Sequence, residues 1–84
     1  MVDLKALIET VARALADQPE AVVVKESERR GGTVFELQVA ATDLGRVIGR
    51  QGRTAAALRT LLASAAEDDE RRVSLDIRDQ SGRS

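Results

Sequence analysis

The sequence contains no histidine, cysteine, tyrosine or tryptophan, and these absences restrict the chemistry open to it. Without cysteine there can be no disulfide bond and no thiolate metal site. General acid–base catalysis would fall to carboxylates or lysines, and a nucleophilic serine or threonine would have no imidazole to activate it. We therefore expect a protein that is not an enzyme and that uses no cofactor or metal.

Long apolar runs are also missing. No run approaches the ~18 residues that span a bilayer. Acidic Asp3 and the amphipathic spacing after it do not resemble a signal peptide, so we expect a cytoplasmic protein with no membrane partner. The 84 residues, 43% hydrophobic and 32% charged, fit one small globular domain rather than a disordered chain.

Positive and negative charges nearly balance over the whole chain, but positive charge is concentrated in one segment. The net charge of −1 argues against an indiscriminately basic nucleic-acid binder. Residues 42–63 nevertheless contain four arginines and one aspartate, which makes this segment +3 and leaves −4 for the rest. Gly49-Arg50-Gln51-Gly52 lies at the centre of this positive segment.

The N-terminal residues predict an amphipathic helix. Asp3 is a suitable N-cap, and the residue before Pro19 resists helical dihedrals, so the helix should end at Asp17–Pro19. A helix on a membrane surface is the alternative, but the polar face is not enriched in Lys and Arg. The residues at helical spacing are Leu4, Leu7, Ile8, Val11 and Leu15.

Two strands and a turn are expected next. Residues 21–28 are rich in valine and then charged, whereas residues 33–40 alternate, with Phe35, Leu37 and Val39 on one face. The intervening Arg29-Arg30-Gly31-Gly32 predicts a hairpin turn. Arg29 and Arg30 could contact a ligand, although a charged hairpin tip is more often simply solvated. Phe35 is the only aromatic and should be core, which leaves no aromatic platform for stacking bases.

The second half of the chain predicts two helices and a strand. Thr42 should cap a short helix over residues 43–48, and a longer helix should run over residues 53–66 after the glycine loop. Its apolar stripe is Ala55, Leu58, Leu61, Leu62 and Ala65. The acidic run 67–70 could hold a divalent cation weakly, but a solvated loop is the favoured interpretation. Val73, Leu75 and Ile77 alternate with polar residues as a third strand, and residues 79–84 form a polar tail.

The order α-β-β-α-α-β predicts an α+β fold with a three-stranded mixed sheet. The second and third strands should pair in parallel through a right-handed crossover, with all helices on one face. The other face can meet water because it carries polar residues. Those residues are Glu36, Gln38, Ser74 and Asp76.

The loop Gly49–Gly52 is the strongest functional candidate. Glycine lets the backbone approach another chain closely, and a helix that starts after the loop directs free N–H groups and partial positive charge toward it. Such a loop suits a phosphate backbone. The Walker pattern is absent, and the dinucleotide fingerprint follows a strand, whereas this loop follows a helix.

The run Gly45-Arg46-Val47-Ile48-Gly49-Arg50-Gln51-Gly52-Arg53, followed by aliphatic Leu58, resembles the KH domain family. The element order resembles the type II, or prokaryotic, arrangement. The resemblance covers almost the whole chain and implies one KH domain over residues 1–79, with a flexible polar tail over residues 80–84. Ala55 stands where many KH domains carry isoleucine.

The resemblance implies a groove between the two loop-linked helices and the sheet edge, where the loop holds about four nucleotides of single-stranded RNA. Gly49 and Gly52 would permit close approach, and Arg50 and Gln51 would contact phosphates or sugars. Arg53 and Arg46 would add positive potential. Val47 and Ile48 would offer an aliphatic surface to the bases, although one of the pair is equally suited to the core.

Resemblance to small bacterial proteins with a single KH domain also implies a role and partners. The role would be that of an RNA chaperone or post-transcriptional regulator. The partners would be a second copy, as a homodimer, or a larger Jag-type KH protein, as a heterodimer. A protein-assembly module that uses the fold mainly for protein contacts is the alternative. The acidic composition and missing aromatics favour assembly, and the loop with its arginines favours RNA.

Overall fold

The computed structural model describes residues 3–66 and 72–80, and it has the predicted α-β-β-α-α-β order. Short 3₁₀ turns over residues 19–21, 41–43 and 50–52 join these elements. The elements are α1 (Leu4–Leu15), β1 (Val23–Arg29), β2 (Gly32–Val39), α2 (Leu44–Ile48), α3 (Arg53–Ala66) and β3 (Arg72–Asp79).

The three strands form one mixed sheet in the order β1-β2-β3. β1 pairs antiparallel with β2, and β2 pairs parallel with β3, which confirms the predicted pairing. Phe35 lies opposite Leu75, and Leu37 lies opposite Ile77. Because the apolar positions are in register, they form a continuous buried face across the two strands.

The core lies between that face and the helices. The Asp3 carboxylate accepts a hydrogen bond from the Ala6 N–H at 3.2 Å, which confirms the predicted N-cap of α1. Ile8 and Ala12 of α1 and Leu58 of α3 are buried against the sheet residues. Glu36, Gln38, Ser74 and Asp76 remain accessible on the other face, as predicted.

The hairpin turn is shorter than expected. Only Arg30 and Gly31 lie outside the strands, and both have positive φ, at 46° and 79°. Two-residue hairpin turns favour such dihedrals because their twist matches that of the strands. The predicted hairpin is confirmed, but its turn consists of Arg30 and Gly31, because Arg29 and Gly32 pair with each other as the last rung of the hairpin.

Thr42 does not cap α2, so that prediction is wrong. Its hydroxyl accepts a hydrogen bond from the Gln18 side-chain amide at 3.1 Å. The neighbouring Asp43 is 1% exposed, and its two carboxylate oxygens accept from the N–H groups of Asp17 at 3.0 Å and Gln18 at 2.9 Å. A buried carboxylate needs such partners, and these tie the end of α1 to the start of α2.

Two further expectations are corrected. Leu61 is 52% exposed. It lies one residue before buried Leu62, so its side chain is about 100° around the helix from that of Leu62 and points away from the core. Asp79 belongs to β3 rather than to the tail: it lies opposite Val39 and is buried. The acidic run 67–70, the side chain of Ala65 and the tail residues 81–84 lie outside the described residues.

Candidate nucleic-acid interface

The backbone between α2 and α3 makes a sharp left-handed loop. α2 ends where the Gly49 N–H donates to the Gly45 carbonyl at 2.9 Å, and Gly49 itself has φ 81° and ψ 167°. Gln51 has φ 58° and Gly52 has φ 72°, so three of the four loop residues have positive φ. The Gly52 N–H donates to the Gly49 carbonyl at 3.0 Å, which closes the loop directly before α3.

The two glycines of the loop have different constraints. A Cβ at Gly49 would lie 2.8 Å from the Thr54 Cβ and 2.9 Å from the Thr54 N, where atoms cannot be accommodated. A Cβ at Gly52 would have nothing within 4 Å. Gly49 is thus required by its dihedrals and by the packing of α3 against the loop, whereas Gly52 is required by its dihedrals alone.

Arg50 is exposed at the loop tip, and within the described part of the chain its side chain has no ion pair or hydrogen bond. Gln51 is also exposed, and its side-chain oxygen accepts from the Arg53 guanidinium at 3.3 Å. The loop therefore presents the unpartnered Arg50 guanidinium beside Gln51 and Arg53, which are hydrogen-bonded to each other.

The remaining residues of the predicted site divide between surface and core. Arg46 is exposed and pairs with the Asp17 carboxylate at 3.2 Å, an ion pair that solvent weakens. Val47 is 0% exposed, so it is the core-facing member of the aliphatic pair and offers no surface to a ligand. Ile48 is half-buried and packs against the core while keeping some surface accessible.

A pocket of about 190 Å³ opens between α3 and the edge strand β3. It is lined by Arg59, Leu62, Val73, Ser74 and Leu75. The Arg59 guanidinium donates from Nε and Nη2 to the Leu75 carbonyl at 3.3 and 3.0 Å. Sequence reasoning placed the groove at a sheet edge but missed these lining residues. The only available signal for Arg59 was its position beside the apolar stripe of α3.

Other kinds of site find no support in the described residues. Across residues 3–66 and 72–80, no group of three or more Asp, Glu, His or Cys side chains could hold a metal ion. None of the helices in this part of the chain has the length and hydropathy to cross a bilayer.

Comparison with known proteins identifies the family of this chain. A family model described as KhpA/KhpB, KH domain, matches residues 5–77. The chain is also similar to proteins named RNA-binding protein KhpA. The one from Halalkalibacterium halodurans is 47% identical over 76 residues, which cover 90% of this chain and 100% of that protein.

Two more relatives carry the same name. The protein from Caldanaerobacter subterraneus subsp. tengcongensis is 46% identical over 71 residues, covering 84% of this chain and 95% of the relative. The protein from Treponema pallidum is 47% identical over 73 residues, covering 87% and 91%. The three helices and the mixed sheet are those of a type II KH fold. The chain therefore belongs to the KhpA/KhpB family of KH domains.

Proposed function

We propose that this protein binds short segments of single-stranded RNA, about four nucleotides long, across the Gly49–Gly52 loop and along the β3 pocket. In the cell it would act as an RNA chaperone or post-transcriptional regulator. The observation that carries the proposal is the left-handed loop, which presents unpartnered Arg50 at its tip and leads through α3 to an open pocket. The names of the relatives support the choice of RNA.

Each part of this surface has a distinct role in the proposal. Gly49 and Gly52 let a sugar–phosphate backbone lie against the loop, and the start of α3 adds partial positive charge. Arg50 supplies a guanidinium that can bond two phosphate oxygens at once. Ile48 and Val73, both half-buried, offer aliphatic surface to the bases. With no aromatic beyond buried Phe35, binding by one domain should be weak and tolerant of sequence.

We expect preference for single-stranded RNA and a shallow dependence on salt. Few cations line the loop, so few counterions are released. The slope of log K against log salt should be about −0.7 per phosphate contacted, hence roughly −2 to −3 for a short oligonucleotide. Both quantities can be measured by fluorescence anisotropy of labelled oligouridine. The salt slope comes from titrations at several salt concentrations, and the strand preference comes from competition with a duplex of the same length. Tighter binding to the duplex would contradict the proposal, and a slope near zero would favour protein assembly.

Self-association is a second candidate function, and exposed Leu61 favours it. Leu61 is 52% exposed on α3, whose other exposed positions near it are mainly alanine and threonine. We propose a second copy of this chain as the partner, because pairing two weak RNA sites raises the effective affinity of both. A larger Jag-type KH protein could occupy the same face instead.

A protein carrying L61Q should sediment as a monomer at concentrations where the wild type dimerises. Its melting temperature as a monomer should change little, because substitutions at exposed positions usually stay within about 0.5 kcal/mol. The matched control is A63Q, also exposed on α3 but about 160° around the helix from Leu61. A wild type that stays monomeric at high concentration and recovers no KH partner from cells would contradict this candidate.

A further inference from the structure

The arginines of the described chain fall into two groups. Five of the nine are engaged within the molecule. They are Arg13 with Glu9, Arg46 with Asp17, Arg53 with Gln51, Arg59 with the Leu75 carbonyl, and Arg78 with Glu36 and Asp76. The other four make no ion pair or side-chain hydrogen bond with any described residue. One of them is Arg50 at the loop tip, and the other three lie together at the hairpin end of the sheet.

These three, Arg29, Arg30 and Arg72, form what we call the hairpin-end cluster. Arg29 lies opposite Gly32 on β2, and Gly32 lies opposite Arg72 on β3. The two arginines are therefore two strand spacings apart, about 10 Å. A Cβ at Gly32 would lie 3.1 Å from the Arg72 Cβ, so Arg72 is on the same face as the missing side chain. That face is the one without helices, because the adjacent Thr33 faces the core.

Acidic groups near the cluster are few or already paired. The next rung on the same face contains Ser27, Val34 and Ser74, which carry no charge. The rung after that contains Glu36 and Asp76, and both contact Arg78. Glu28 belongs to the helix-facing side and accepts from the Thr33 hydroxyl at 3.1 Å. Residues 67–70 precede the cluster in sequence and lie outside the described residues.

The cluster lies at the far end of the route that begins at the glycine loop. α3 leads away from the loop for 14 residues, about 20 Å. Arg59 and Leu62, partway along it, line the pocket against Val73 and Leu75. Arg72 directly precedes Val73 at the start of β3. An RNA strand that leaves the pocket past Val73 would therefore meet Arg72 first and then the rest of the hairpin-end cluster.

We propose that the hairpin-end cluster is a second phosphate-contacting surface, which extends the RNA path of one domain beyond about four nucleotides. This rests on the proposed function, because the loop and pocket must hold the RNA first. A guanidinium group bonds phosphate oxygens in pairs, and two arginines whose backbones lie about 10 Å apart can engage different phosphates of one RNA strand. Arg30, in the turn next to Arg29, adds positive potential at the hairpin end of the sheet.

The test compares oligouridines of about four and about ten nucleotides. R29Q combined with R72Q should leave affinity for the short oligonucleotide within about twofold of wild type, since only the loop and pocket hold it. Affinity for the long one should fall about tenfold, and its salt slope should become shallower by about 1.4, for two lost phosphate contacts. K5Q combined with R13Q removes the same charge from α1 and should change neither affinity.

A second variant separates binding from folding. R30N removes one guanidinium and places Asn-Gly in a turn whose first residue has φ 46°, a sequence that favours such turns. Its melting temperature should match or exceed that of the wild type while affinity for the long oligonucleotide falls. Loss of long-RNA affinity in a fully folded R30N protein cannot arise from unfolding.

The outcomes distinguish the two proposals. Unchanged long-RNA affinity in R29Q/R72Q and in R30N overturns the second surface, while normal binding of the short oligonucleotide leaves the loop proposal standing. If these variants lose a protein partner but keep their affinity for RNA, the cluster binds an acidic surface of that protein, and the RNA assignment is overturned. A wild type that binds neither oligonucleotide overturns the proposed function and this inference together.

Discussion

A protein that carries R50D and Q51D is expected to keep its fold and lose detectable binding to single-stranded RNA. The two side chains are exposed at the loop tip, and the only side-chain hydrogen bond or ion pair between them and the rest of the described chain is the hydrogen bond from Arg53 to Gln51. The double substitution replaces the one unpartnered guanidinium of the loop with an anion and adds a second anion beside it. Phosphates that approach Gly49 and Gly52 then meet repulsion instead of attraction.

Stability should change little in this variant. Surface substitutions usually stay within about 0.5 kcal/mol. Gln51 has φ 58°, a region that aspartate enters more readily than most residues, and both new carboxylates lie just before α3, where the helix dipole favours negative charge. Circular dichroism and thermal melting should therefore match the wild type while anisotropy shows no binding at concentrations that saturate it.

The control for bulk charge is K5D combined with A6D. It makes the same change in net charge at two exposed positions in the first turn of α1, where acidic residues are also tolerated. RNA affinity should stay within a few-fold of wild type, which would locate the effect at the loop. If folded R50D/Q51D retains its affinity for RNA, the loop is not the binding site.

The second large effect is expected from G49A. Its φ of 81° and ψ of 167° fall in a region that is essentially restricted to glycine. The added methyl group would also contact the Thr54 backbone nitrogen, which no side-chain rotation can move away. Backbone strain of this kind costs about 1–3 kcal/mol, and overpacking adds about 1–3 kcal/mol. We expect the free energy of unfolding, measured in urea, to fall by about 3 kcal/mol or more.

G52A is the matched comparison, because it adds the same methyl group in the same loop. Its φ of 72° gives strain, but a Cβ there meets nothing within 4 Å. The loss should be about 1–2 kcal/mol. T54A in the G49A background should restore only part of the stability, because the backbone nitrogen stays in place. Equal losses in G49A and G52A would show that α3 does not pack against the loop as described.

Much of this protein could be predicted because its local patterns are strong and agree with one another. Alternation at Phe35, Leu37 and Val39 identified β2, and the same alternation at Leu75 and Ile77 identified β3. Each pattern has the period of a single element, so it needs no knowledge of the rest of the molecule. Asp3 as an N-cap and the Gly49–Gly52 loop between two helices were readable for the same reason, since each depends on neighbours within a few residues.

Only the tertiary structure decided which surfaces those elements leave open. The sequence does not show which of Val47 and Ile48 faces the core, and their difference in burial arises from how α2 packs against the core. Leu61 is apolar and well spaced, yet the buried stripe of α3 excludes it. The Asp43 carboxylate accepts two backbone hydrogen bonds from the segment after α1, because α1 ends beside the start of α2. The division of the arginines into paired and unpartnered groups depends on contacts between residues as far apart as Asp17 and Arg46. Such contacts depend on the three-dimensional arrangement of the elements, and the local periodicity that defines each element carries no information about them.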